Sequence, residues 1–285
     1  MIVTRFAPSP TGFLHLGHAF AALTAFAAAR RAGGRFLLRI EDIDHTRCRL
    51  EYEAAIFEDM RWLGVAFEEP VRRQSEHFDD YRESLRGLDE KGLLYPCFCT
   101  RKEIAEEIAL SGAAPHGPDG PPYPGICRTL APDLRAARIA EGIPYALRLD
   151  VAKSQALLGQ PLSFTEKGLG PNGEAGLQSA RPALAGDIVV ARKDLPASYH
   201  LAVVTDDALQ GVTLVTRGNE LFAATAIQRL LQALLGLPEP AYAHHRLILD
   251  PEGRKFSKRD SGVTLRHLRE SGVTAQGIRA MIGLN

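Results

Sequence analysis

The 285 residues are 45% hydrophobic and 24% charged, with Lys+Arg balancing Asp+Glu at 34 each; this is globular composition for one large domain or two small ones, and it gives no bulk-charge signal for nucleic acid, although a local basic face would suffice. With no run of about 18 apolar residues and no charged-then-apolar leader, neither a membrane-spanning helix nor a secretory signal is expected. Four cysteines in a chain this long do not make a disulfide scaffold, and the grouping of Cys97, Cys99 and Cys127 fits metal or structural use in a reducing, cytoplasmic setting.

Strand-like and helix-like segments alternate, the mark of an α/β fold. Residues 2–6 read as a strand, and 16–31 as an Ala-rich helix stopped by Gly33-Gly34. A second strand over 35–40 runs into the polar turn EDIDHTR. Helices are expected over 51–63 and 77–91, the latter closed by Gly92. The character changes at Tyr95. Residues 111–125 hold five prolines and four glycines, which excludes a regular element. Strands resume over 145–151 and 187–192, then a helix near 200–209, a strand at 213–217, a helix at 221–235 and a strand at 244–249. The expected organisation is 1–94 as the first half of an α/β domain, 95–145 as a Cys-containing insertion, 146–240 as the second half, and 241–285 as a loop region with a short helical tail.

The segment RFAPSPTGFLHLGH, residues 5–18, joins the first strand to the first helix. Pro8 and Pro10 stiffen it, and Gly12 permits a turn. At His15-Leu16-Gly17-His18 the free N–H groups and positive dipole end of the helix make an anion site. His15 and His18 project from one face, and Gly17 lets a flat ring or a phosphate approach the backbone. A capped helix with two surface histidines accounts for the same letters. Near the other end, GRKFSKRD gathers Lys255, Lys258 and Arg259 beside Gly253 and Ser257. Such a loop suits a polyphosphate whose charge rises during reaction; a solvated basic loop is the plain alternative. Cys97, Cys99 and Cys127 offer three thiolates to a tetrahedral zinc, with His116 the chemically usual fourth ligand. Three buried cysteines without metal is the other reading, and Cys48 stands apart.

HLGH at 15–18 and KFSKR at 255–259 resemble the two signature motifs of class I aminoacyl-tRNA synthetases. RFAPSPTGFLHLGH together with RIEDID at 39–44 is similar to the glutamyl branch. The resemblance continues in order through the Cys insertion, YHLAVVTDD at 199–207 and GVTLVTRGNE at 211–220. It implies a Rossmann-like catalytic core that uses ATP and Mg2+. His15 and His18 would stabilise the α-phosphate and Lys258 the departing pyrophosphate, with Gly17, Lys255, Ser257 and Arg259 also at ATP. It places a glutamate substrate among Arg5, Phe6, Ala7, Pro8, Ser9, Glu41, Tyr199 and Arg217. The charges agree, since two carboxylates and one ammonium call for guanidinium forks and one anion. Which arginine meets which carboxylate stays open, and an Arg5–Glu41 ion pair tying adjacent strands is the structural alternative. Glutamyl enzymes often carry a polar residue at the position of Val203, so an apolar side chain there is expected to loosen the pocket.

Only 26 residues follow Arg259, too few for an anticodon-binding domain. GDIVVARKDLPASYHLAVVTDD and GLPEPAYAHHRLILDPEGRKFSKRD are similar to the glutamyl-queuosine tRNA(Asp) synthetase family. That resemblance implies glutamate activation followed by transfer to queuosine in the anticodon loop of tRNA(Asp). It also implies one structural Zn2+ on Cys97, Cys99, Tyr123 and Cys127. A monomer is expected, and Arg72, Arg73, Arg101 and Lys102 are candidate phosphate contacts, with a solvated surface charge the plainer reading of each. The rival readings are a truncated glutamyl-tRNA synthetase charging a 3′ end and a non-catalytic nucleotide- or tRNA-binding paralogue.

Overall fold

The structure, a computed structural model, describes residues 1–110, 122–249, 253 and 264–284, with the side chains of 105 and 107–110 left aside. Strand β1 (Val3–Phe6) is buried along its length, and α1 (Leu16–Arg31) returns over it to β2 (Arg35–Ile40). Gly34 makes that return possible, because a Cβ there would lie 2.1 Å from the Ile2 carbonyl oxygen. Next come α2 (Leu50–Trp62), β3 (Arg72–Arg73), α3 (Phe78–Asp89) and β4 (Leu94–Cys97). The insertion holds α4 (Arg101–Leu110) and α5 (Pro132–Ala140). Then follow β5 (Ala146–Leu149), α6 (Val151–Leu158), β6 (Leu162–Glu166), β7 (Gly176–Ala180) and β8 (Val189–Ala191). The chain continues through α7 (Tyr199–Leu209), β9 (Leu214–Gly218), α8 (Ala224–Leu235), β10 (Ala241–His245), α9 (Leu265–Glu270) and α10 (Ala275–Met281).

β1, β2 and β3 form one parallel sheet, while β9, β10 and β6 form another with β7 antiparallel at its edge. They meet where β1 runs beside β9: Thr213 N donates to the Val3 carbonyl (3.0 Å), and Val3 N to Thr213 Oγ1 (2.9 Å). The chain leaves β1 toward β2 on one side and re-enters at β9 on the other. This is a topological switch point, where the carboxyl ends of the strands open a crevice. A separate antiparallel sheet, β4-β5-β8, carries the insertion.

One core lies between the first sheet and α1 and α2. Leu265, Ile278 and Ile282 of the tail join Leu23, Ile56 and Met60 in it, so the tail is built into the first half. A second core packs α3, α7 and α8. No element was expected between the strands at 145–151 and 187–192, and the structure adds α6, β6 and β7 there, β7 largely solvent-exposed. One expectation is corrected. The last strand is Ala241–His245 rather than 244–249, because its register against β9 pairs Ala241 with Leu214 and runs out at His245 opposite Gly218.

Candidate active site at the switch point

His15 is the N-cap of α1, and its Nδ1 accepts from Gly17 N at 3.1 Å. His18 Nδ1 accepts from His15 N at 3.2 Å, and the two rings lie 3.8 Å apart between centroids. Each neutral ring that accepts at Nδ1 carries its proton on Nε2. Two N–H donors are thus set at the positive end of a 16-residue helix. A cavity of about 220 Å³ is lined by His15, Gly17 and His18, by Gly218 at the end of β9 and Glu220 beyond it, and by Arg246 to Ile248 after β10. On the other flank, Leu265 N donates to the Leu14 carbonyl at 2.7 Å, and Thr264 bridges to His15. The chain on both sides of the second signature therefore reaches the start of α1. Lys255, Ser257, Lys258 and Arg259 themselves lie outside the described residues.

Beside this cavity the structure gathers four of the expected glutamate-pocket side chains. The charges of Arg217, Glu41 and Arg5, with Asp207, all act on the Tyr199 hydroxyl, whose removal from water raises its pKa. The Tyr199 residue remains 37% exposed, so the group has an open side. The Arg5–Glu41 ion pair, the structural alternative to a substrate role, does not form. Arg5 Nε donates to Asp207 Oδ1 (3.0 Å) and Nη1 to the Thr216 carbonyl (3.3 Å), whereas Glu41 Oε1 accepts from Arg39 Nη2 (3.1 Å). Glu41 and Arg5 reach toward different partners because α7 places Asp207 between Arg5 and Arg39, and Arg39 Nη1 also donates to Asp207 (2.7 Å). Burial raises the Glu41 carboxyl above its usual range, against the pull of Arg39 and Arg5. At Asp207 the balance is reversed: burial is outweighed by Arg5 and Arg39, and its pKa falls.

Arg217 is held at three nitrogens, by His244 Nε2 (3.0 Å), Gln228 Oε1 (2.6 Å) and Thr225 Oγ1 (2.6 Å). Phe6 packs into the core and Pro8 is buried, while Ala7 and Ser9 are half-buried. Val203 sits one helical turn after Tyr199 and one before Asp207, 2% exposed and packed in the apolar core.

The Sγ atoms of Cys97, Cys99 and Cys127 lie within 4.8 Å of one another, with Cys99 and Cys127 3.4 Å apart. The Tyr123 hydroxyl is 3.5 Å from Cys97 Sγ and 3.4 Å from Cys99 Sγ, and it accepts from Cys127 N at 2.8 Å. Three thiols and an oxygen at four corners fit a tetrahedral zinc. Burial pushes the Cys99 thiol up to about 12 and raises Tyr123 too; a divalent cation would reverse both. His116 lies outside the described residues, and Cys48 is not part of the group.

The sequence pattern described as tRNA synthetases class I (E and Q), catalytic domain, matches residues 1–284. The chain belongs to this family. Among these synthetases it is 48% identical to the glutamyl-Q tRNA(Asp) synthetase of Rhodobacter capsulatus, over 99% of this chain and 100% of that one. It is 43% identical to the protein of the same name from Symbiobacterium thermophilum, over 98% and 84%. The crystal structure of a glutamate tRNA ligase from Elizabethkingia meningosepticum, in complex with its amino acid, superposes with a TM-score of 0.73 at 30% identity. It covers 91% of this chain and 52% of the ligase.

Of the candidate phosphate contacts, Arg72 donates to Asp206 (2.7 Å) and pairs with Asp80, and Arg73, still partly exposed, donates to Glu53 (2.7 Å). Arg101 and Lys102 are exposed at the start of α4, and Lys102 lies 3.7 Å from Glu106. Missed altogether were Arg39, Asp207, His244 and Glu166, which organise the site from beneath. Arg39 stood in RIEDID and Asp207 in YHLAVVTDD, yet nothing in one dimension says that β2 and α7 touch.

Proposed function

We propose that this chain activates L-glutamate with ATP and transfers it to queuosine in tRNA(Asp), giving glutamyl-queuosine. The observation that carries the reading is the adjacency of two half-sites at one switch point: paired imidazoles at a helix N-terminus, and an Arg5–Glu41–Tyr199–Arg217 group shaped for an amino acid with two carboxylates.

Arg5 and Arg217 hold the carboxylates. Glu41 Oε2, which makes no hydrogen bond among the described residues, receives the ammonium. The α-carboxylate oxygen attacks the α-phosphorus of ATP and pyrophosphate leaves. The Nε2–H groups of His15 and His18 meet charge building on the α-phosphate, and the cations of the second signature, with Lys258 foremost, meet it on the leaving group; a bound Mg2+ would add positive charge beside the departing phosphates. Positioning and charge stabilisation supply the catalysis, with no covalent enzyme intermediate. A hydroxyl of the queuosine cyclopentene ring then attacks the glutamyl carbonyl and AMP departs. Zn2+ on Cys97, Cys99, Tyr123 and Cys127 would brace the insertion. No helix among the described residues is long and apolar enough to cross a membrane, and we place the reaction in the cytoplasm.

The test is glutamate-dependent ATP–pyrophosphate exchange without tRNA, then transfer of labelled glutamate to tRNA(Asp) with and without queuosine. Exchange together with queuosine-dependent transfer is expected. Absence of exchange favours a binding paralogue, and transfer that survives loss of queuosine points to 3′-end charging.

A further inference from the structure

Beneath the amino-acid crevice lies a buried chain of contacts between β6, β10 and β9. Glu166 is 2% exposed, His244 3% and Arg217 5%. Glu166 Oε1 accepts two main-chain N–H groups, from Gly168 (2.7 Å) and His244 (2.9 Å). Gly168 is required there, because a Cβ would stand 2.2 Å from the His244 carbonyl oxygen. Glu166 Oε2 lies 2.6 Å from His244 Nδ1, and His244 Nε2 lies 3.0 Å from Arg217 Nε.

Arginine has no acceptor, so Arg217 Nε must donate, and His244 Nε2 must be the bare nitrogen. The imidazole proton is then on Nδ1 and faces the carboxylate. We infer that Glu166 and His244 are positioning residues: the carboxylate fixes the His244 tautomer, and His244 in turn fixes the plane of Arg217, aiming its remaining N–H groups at a substrate carboxylate. This rests on the reading of Arg217 as a carboxylate clamp. With Nε on His244, one Nη1 proton on Gln228 and one Nη2 proton on Thr225, one N–H is left on each terminal nitrogen among the described partners. Two such groups match the two oxygens of a carboxylate. An arginine free to swing would bind the same charge with less geometric discrimination.

Glu166→Gln tests the relay with little change of volume. Two main-chain donors hold the amide oxygen at the Oε1 position, so the amide NH2 faces Nδ1. The His244 proton is driven to Nε2, where it opposes Arg217 Nε–H. The expected result in pyrophosphate exchange is a rise of about tenfold or more in the KM for glutamate, the scale of one lost charge-assisted hydrogen bond, with the KM for ATP unchanged. In nitrogen-15 NMR of the ring, the parent shows the Nδ1–H tautomer and the variant Nε2–H. A glutamate KM within twofold of the parent once the tautomer has switched overturns the inference. So does an Nε2–H tautomer or an imidazolium in the parent at neutral pH, and this reading needs no variant to fold. Loss of exchange in the parent would strike the proposed function instead, while the ring spectrum still decides whether the relay exists.

Discussion

His15 and His18 each spend Nδ1 on the backbone of their own helix, and this fixes what the other nitrogen does. A histidine at an N-cap is a mediocre helix starter compared with Ser or Asp, and the proposed role of Nε2–H at the α-phosphate gives a reason for it here. His18→Ala is expected to slow glutamyl-adenylate formation by about 10² or more, the usual loss for one transition-state donor, with little change in the KM for glutamate; single-turnover formation of the adenylate measures it. Tyr123 makes a second case. Its hydroxyl sits where His116 was the usual chemical choice, and Tyr123→Phe removes one donor while leaving three thiols. Elemental analysis of the chelator-free parent is expected to give about one zinc per chain, and competition with a chromophoric chelator should show Tyr123→Phe holding it at least about tenfold more weakly. Zinc content far below one equivalent in the parent would remove the site.

Among the elements, α7 carries the most. Tyr199, Val203 and Asp207 recur on one face at i, i+4 and i+8, so the helix that supplies the pocket wall also supplies the anion that spaces Arg5 from Arg39. Arg39 is fully buried against Asp206, Asp207 and Glu41, which keep its guanidinium protonated despite the burial. Truncating it strands several buried charges. Arg39→Ala should cost about 3–5 kcal/mol of stability, read as a drop in the urea midpoint. A loss under about 1 kcal/mol would mean that the carboxylates find other partners. The local letters revealed α1, β2 and α7 nearly to the residue, because α1 and α7 are rich in helix formers, β2 is a short apolar run, and glycine or polar turns stop each of them. They did not reveal β6 or β7. β6 (LSFTE) does alternate apolar and polar residues over a short span, but β7 (GLQSA) is largely exposed and exists because β6 accepts it at the sheet edge, a tertiary cause.

Across the whole molecule, the tail closes the structure over the start of α1. Arg269 of α9 donates to Asp59 (3.0 Å) and Glu58 (2.8 Å) of α2, joining the last elements to the first sheet layer. Burial pushes the Asp59 carboxyl up to about 7, against the opposing pull of Arg269, with Glu58 and Arg266 also acting on it. An acid raised from about 4 in the unfolded chain leaves stability intact below that pH and withdraws it as pH climbs to about 7. His244, pushed down to about 4 by burial and by Arg217, has the opposite sign: its neutral form costs stability as pH falls from about 6.5 toward 4. Asp59→Asn should therefore gain melting temperature relative to the parent as pH rises from 5 to 8, whatever its offset. A difference that stays flat with pH would show that Asp59 is ionised throughout.

By itself the sequence determined the alternation of strand and helix and the three-cysteine group, because these depend on local pattern or on residue type at fixed spacing, and its two signatures carried the resemblance from which a glutamate pocket was expected. Only the tertiary structure decided which charges meet. Arg5 takes Asp207 rather than Glu41, Arg72 takes Asp206 and Arg73 Glu53, and Glu166 reaches Arg217 through His244. The reason is physical: an ion pair or a relay is set by distances of about 3 Å between strands and helices far apart in the chain, and these distances exist only after the sheet has closed around its switch point.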